Sequence, residues 1–217
     1  MYKVGIVLFD DFTDVDFFLL YDLLGRTSDS WTVKILGTKS EHRSHLGMMV
    51  KTDGDLCEVS EQDAVLITSG YLGVPAAMQD ENFMSALRLD PTKQLIGSIC
   101  AGSFILHQLG LLTGKPLTTN PHAKAALQAL GGDVQDVPLV VNGNIATAGG
   151  CLSLLYLVGW LAERWFDSTK RQQIQDPLIP AGQLALFESL ISTTISSAEE
   201  KNSDPTPTIH EAQPLAC

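Results

Sequence analysis

The sequence has no apolar run approaching the length of about 20 residues that a membrane-spanning helix needs. It is also poor in positive charge. Fourteen Lys and Arg stand against 25 Asp and Glu, a formal net charge of −11, which argues against nucleic acid or an anionic membrane surface as partner. The four cysteines have neither the spacing of a disulfide framework nor that of a zinc site, which points to a reducing, cytoplasmic setting. Met1-Tyr2-Lys3-Val4-Gly5-Ile6 passes directly into a strand pattern, without the basic stretch and cleavage site of a signal peptide. Neither GxGxxG nor GxxxxGK occurs, so no phosphate-cradling loop is expected. No His or acidic group has metal-ligand spacing, and neither a metal nor a cofactor is expected. No helix-turn-helix segment or internal repeat is visible.

What is present suits a globular α/β protein. Apolar residues make up 45% and charged residues 18% of 217, enough for one domain with a full core. Short apolar strand patterns at Lys3–Phe9, Trp31–Leu36, Ala64–Ile67 and Leu95–Ile99 alternate with helical patterns at Val15–Leu24, Glu81–Leu89, His122–Leu130 and Leu152–Phe166. Gly47–Val50 and Leu56–Val59 read as weaker extended segments. Asn142-Gly143, between Leu139–Val141 and Ile145–Thr147, is a hairpin signal. The alternation predicts a mostly parallel sheet sandwiched by helices, over a single domain spanning 1–195. From Ser196 the chain becomes polar and proline-containing, and 196–217 reads as a flexible tail without a packed core.

The chain is organised around Leu95-Ile96-Gly97-Ser98-Ile99-Cys100-Ala101-Gly102-Ser103-Phe104. A strand leads into Cys100, a helix pattern leads out of it, and Ser98 and Gly102 stand two residues to either side. Small–x–nucleophile–x–small is the pattern of a nucleophile elbow, whose tight turn exposes the central side chain at the sheet edge. A following helix would favour the thiolate, the reactive form. The competing reading of an apolar-flanked cysteine is core filler. Cys57 and Cys151 have no such context and read as structural.

Ligands of parallel sheets sit beyond the carboxyl ends of the strands, so the turns after Phe9, Ile67 and Ile99 belong together. The first offers Asp16, an acid/base candidate for the sulfur. Thr13-x-x-Asp16 also fits a helix capping box, and the spacing alone favours the cap. If Asp16 meets the sulfur, one of the two must stay neutral; a protonated acid beside a thiolate is the expected resting state. The turn at Ser69-Gly70-Tyr71 offers a backbone N–H at Gly70, and Ala101 a second, for charge developing on a substrate. Phe12 and Tyr71 are expected in the pocket wall. His42, His45 and His210 lie in polar stretches and read as surface; His107 and His122 fall at helical positions.

Taken together, these segments resemble the ThiJ/PfpI superfamily, which has the class I glutamine amidotransferase-like, flavodoxin-like fold. The pieces are Val4–Phe9 with Val15-Asp16; Val65-Leu66-Ile67 before Gly70; Ser98-Ile99-Cys100-Ala101-Gly102; Gly110–Lys115 with Thr118-Thr119; Asn144–Gly150; and Ile174-Gln175-Asp176-Pro177. The aspartate in Val15-Asp16, where many relatives have glutamate, points to the isonitrile hydratase branch. The resemblance implies Cys100 as nucleophile, Asp16 as its acid/base partner, backbone groups at Gly70 and Ala101 around the reacting atom, and a homodimer. It also implies hydration of an isonitrile to an N-substituted formamide, without a cofactor. Asn120 stands where relatives commonly carry a histidine, and with Tyr71 it is a substrate-contact candidate. Ala101 stands where hydratase-like sequences often have Thr. A glyoxalase- or deglycase-like activity on small carbonyl compounds and a non-catalytic cysteine redox sensor stay open as alternatives.

Overall fold

The structure, a computed structural model, describes residues 1–27 and 29–203. Its strands are β1 (Tyr2–Val7), β2 (Trp31–Gly37), β3 (Glu41–Arg43), β4 (Met49–Lys51), β5 (Gly54–Asp55), β6 (Ala64–Ile67), β7 (Leu95–Ile99), β8 (Pro116–Leu117), β9 (Asp133–Val134), β10 (Leu139–Asn142) and β11 (Ile145–Ala148). Its helices are α1 (Asp14–Gly25), α2 (Gly73–Gln79), α3 (Glu81–Ala86), α4 (Ser103–Gln108), α5 (Lys124–Ala129), α6 (Leu154–Trp165), α7 (Ser168–Gln175) and α8 (Leu184–Ser203).

The main sheet has the order β10-β11-β7-β6-β1-β2-β5. All neighbours run parallel except β10 and β11, the hairpin at Asn142-Gly143. Every residue of β6, β7 and β11 is buried. Burial on both faces explains why these strands read as continuous apolar runs rather than alternating ones. Helices α1, α7 and α8 pack on α6, and α3 and α4 pack on α2. Arg171 of α7 ties three helices together. It is 1% exposed and pairs with Glu163 of α6 at 2.6 Å and with Glu188 of α8.

Several local expectations change. Leu56–Glu61 is a 3₁₀ turn, not a strand, because Asp55 and Glu58 form a reciprocal capping box. The helix expected over Glu81–Leu89 stops at Ala86, and that over His122–Leu130 starts as a 3₁₀ turn at Pro121–Ala123. The tail expected from Ser196 does not begin there: α8 runs through Ser203. Ile195 and Ala198 are buried, and Glu199 Oε1 accepts the Trp160 indole N–H at 2.8 Å. An apolar stripe within a polar composition keeps this segment on the core. Residues 204–217, the remainder of that expected tail, and His210 with them, lie outside the described residues. His42 is 2% exposed rather than on the surface, because its Nδ1 is drawn to Asp10 at 2.9 Å.

Candidate active site

The parallel register delivers the turns after β1, β6, β7 and β11 to one sheet edge. Ile67 pairs with Ser98, and Ala148 with Ile99, so the residues just beyond them converge on Cys100. Cys100 has φ 48°, in the left-handed region that side chains seldom occupy, as a tight strand-to-helix elbow demands. The reason for the small flank is visible at Gly102. A Cβ there would lie 2.6 Å from Thr68 O and 2.9 Å from Ile67 O. Gly70 is required on the same ground: its Cβ would collide with Asp11 O. Two hydroxyls then clamp the elbow, as Ser103 Oγ and Thr119 Oγ1 donate to Cys100 O at 3.1 and 3.0 Å.

Asp16 reaches the sulfur. Cys100 Sγ donates to Asp16 Oδ1 at 3.7 Å, and Asp16 is completely buried. The capping box favoured from spacing is absent: Thr13 makes no side-chain cap bond, and Asp16 points to the sheet edge instead. Among the described residues, Asp16 Oδ2 has no hydrogen-bond partner.

Cys151, which reads as structural in the sequence, has its sulfur 3.7 Å from Cys100 Sγ and within 4.8 Å of an Asp16 carboxylate oxygen. It sits in the 3₁₀ turn Cys151–Ser153, immediately after β11. The signal that points to it is topological: a strand paired in parallel with β7 must release its next turn at the same edge. Asp16, Cys100 and Cys151 offer ligand-type atoms within 4.8 Å of one another, a grouping invisible to linear spacing.

Burial pushes the Cys100 thiol well up, and the Asp16 charge and Cys151 add to it. Burial also raises the Asp16 carboxyl, against the opposing hydrogen bonds from Cys151 and Cys100. Both groups are thus pushed toward their neutral forms. Burial therefore works against the expected thiolate, and desolvation outweighs the short turn that follows the elbow. The same desolvation raises Cys151.

A cleft of about 770 Å³ opens beside the elbow, lined mainly by apolar groups. Gly70, Tyr71, Ala101 and Asn120 all border it, with Ser69 and His122. Tyr71 is 84% exposed at the rim, whereas Phe12 is fully buried in the core and forms no part of this wall. Cys100 itself is only 2% exposed and is not among the lining residues. Two expected polar groups are already engaged. Ala101 N donates to Ser69 Oγ at 3.1 Å, and Asn120 Oδ1 accepts from His122 N at 2.9 Å. Ser69 thus enters the site as a hydroxyl beside Gly70, with no motif of its own in the sequence.

The chain matches the DJ-1/PfpI family over residues 2–163. Isonitrile hydratase of Pseudomonas putida is 27% identical over 184 residues, covering 82% of this chain and 79% of that protein. Protein dj-1beta of Drosophila melanogaster is 26% identical over 171 residues, covering 77% and 91%. Among solved structures, a ThiJ/PfpI family protein from Pseudomonas syringae superposes with a TM-score of 0.74 at 17% identity, covering 94% of this chain and 91% of its own. DJ-1 of Schizosaccharomyces pombe gives 0.70 at 19% identity, covering 82% and 100%. Among the described residues, no helix is long and apolar enough to cross a membrane. The matched span contains the elbow, the Asp16 turn and the Cys151 turn, and by it the chain belongs to the DJ-1/PfpI family.

Proposed function

We propose that the protein hydrates an isonitrile, R–N≡C, to an N-substituted formamide, with Cys100 as nucleophile and Asp16 as acid/base. The observation that carries this is the 3.7 Å contact between Cys100 Sγ and Asp16 Oδ1. The terminal carbon of an isonitrile takes up both a nucleophile and a proton at the same atom. A thiol and a carboxyl in contact present both to one point. Addition to a carbonyl is different: the proton goes to oxygen, on the far side of the bond from the attacking sulfur. The covered sulfur and the apolar cleft support the same reading. A slender, linear head group reaches the elbow while its R group lies along Val74, Pro75, Met78 and Phe104.

In the scheme Asp16 takes the Cys100 proton as sulfur attacks and returns it to the carbon, forming a thioimidate. Asp16, again a carboxylate, then removes a proton from water. The water oxygen adds to the thioimidate carbon. The nitrogen takes the proton that Asp16 removed from water; breakdown of the tetrahedral species then breaks the C–S bond, and the hydroxyl proton passes by way of Asp16 to sulfur as the formamide C=O forms. The unpartnered Asp16 Oδ2 is a free acceptor for that water. Ser69 Oγ, held by Ala101 N–H, borders the cleft as a hydroxyl donor. The exposed Val15, Phe18 and Tyr21 on α1 support a homodimer.

The test is formamide production from a simple alkyl isonitrile, measured beside methylglyoxal consumption. Cys100→Ala and Asp16→Asn should each abolish hydration while the fold, read by circular dichroism, is retained. Formamide formation that survives Cys100→Ala removes the covalent scheme. Turnover of methylglyoxal but not isonitrile moves the reading to small carbonyl compounds, the reaction class that the shared cysteine also allows.

A further inference from the structure

We infer that Cys100 and Cys151 are a modification site, joined in a reversible disulfide when the protein meets a hydroperoxide. Their sulfurs already touch at 3.7 Å. A disulfide needs about 2.05 Å, so one sulfur must advance by about 1.7 Å, within the reach of a χ1 rotation. The two residues differ in freedom. Cys100 is held at the elbow, its carbonyl gripped by Ser103 and Thr119. Cys151 is partly exposed and begins a short 3₁₀ turn at the foot of α6. It is therefore the sulfur that moves, and the one that solvent reaches first.

The chemistry balances with the hydroperoxide as oxidant. Cys151 Sγ attacks the terminal peroxide oxygen, the O–O bond breaks, and the alcohol or water leaves with the thiol proton. Cys151 is then a sulfenic acid. Cys100 Sγ attacks that sulfur, the S–O bond breaks, and hydroxide leaves as water with the proton from Cys100. Asp16, hydrogen-bonded to Cys100 Sγ at 3.7 Å and within 4.8 Å of Cys151 Sγ, passes that proton. Two thiols lose two electrons, the peroxide gains them, and a small dithiol reverses the step. The bond ties up Cys100 before it can climb to the irreversible sulfinic and sulfonic acids. That it also switches off an activity rests on the function proposed above. The bond itself does not.

The full-length reduced protein is treated with a few equivalents of hydrogen peroxide in the presence of a chelator, then alkylated and digested. The expected product is a Cys100–Cys151 linked peptide, with an intact-mass loss of about 2 Da that dithiothreitol restores. In Cys151→Ser, Cys100 should give no linked peptide, and prolonged peroxide should instead add about 32 Da at Cys100, which dithiothreitol does not remove. Isonitrile hydration is followed in parallel. Linked peptide without any hydration activity supports the disulfide and refutes the function. Hydration without linked peptide, under peroxide that oxidises exposed Cys57, refutes the disulfide and leaves the function standing. Cys100 oxidation that is as reversible in Cys151→Ser as in the parent also overturns the pairing.

Discussion

Gly102→Ala tests the elbow most directly, because two terms of opposite sign meet there. Gly102 has φ −56° and ψ −22°, ordinary helical values that alanine adopts without strain. On propensity alone the substitution stabilises, by up to about 1 kcal/mol. The new Cβ, however, would sit 2.6 Å from Thr68 O and 2.9 Å from Ile67 O. Both obstacles are backbone at the end of β6, a strand hydrogen-bonded on both sides by β1 and β7. Neither can swing away as a side-chain tip would. Overpacking of this kind costs about 1–3 kcal/mol, and rigid neighbours place it in the upper half of that range. The net expected loss is about 1–2 kcal/mol, or a fall of about 2–8 °C in Tm for a chain of this size. Relieving the clash pushes Cys100 away from Asp16, and a misplacement of about 1 Å costs on the order of a hundredfold in turnover. Thermal unfolding followed by calorimetry, with isonitrile hydration on the same samples, reads both effects. Gly25→Ala is the control, since no atom lies within 4 Å of its Cβ. A Gly102→Ala protein that melts at or above the parent temperature would show that propensity dominates and that β6 does not confine the elbow.

Three other perturbations test separate parts of the structure. Ser69→Ala removes the hydroxyl that occupies the Ala101 N–H at 3.1 Å; kcat/KM for isonitrile should fall about 10–100-fold with Tm nearly unchanged, and unaltered kinetics would exclude Ser69 as a donor to substrate. Glu188→Gln should destabilise by about 1–3 kcal/mol at neutral pH, because it weakens a charge-assisted bond to buried Arg171. Arg171 holds the Glu188 carboxyl below its ordinary value, so the parent's advantage is present above the unfolded-state pKa and is lost as pH falls through the lower folded value. Urea melts at pH 7 and near pH 3 should therefore differ between parent and variant in the first case and converge in the second. A gap of equal size at both pH values would refute the ion pair as its source. Ending the chain after Ile195 removes buried Ala198 and strips the Trp160 N–H of Glu199; the loss of an indole partner alone is worth about 1–3 kcal/mol, and an unchanged Tm would restore the tail as first read.

How much of this was legible in the sequence follows from which interactions are local. The strands β6, β7 and β11 were readable because burial on both faces leaves an uninterrupted apolar run. The elbow was readable because its requirement for a small residue is met two positions from Cys100. Asp16 was ambiguous for a physical reason. The same Thr-x-x-Asp spacing serves a cap or a buried carboxyl, and only the convergence of the turns after β1 and β7, on either side of β6, decides between them. Leu56–Glu61 shows the opposite error, where an apolar pattern hid a capping box that was itself local. Cys151 was missed because its partner is 51 residues away and its neighbours carry no motif of their own. Yet the hairpin at Asn142-Gly143 was recognised, and a β11 returning beside β7 has to open at the elbow's edge. The position of the second thiol is thus a consequence of strand order rather than of spacing. An order in which β11 lay at the far edge of the sheet would leave Cys151 remote from Cys100, and the chemistry assigned to the pair would have no geometric basis.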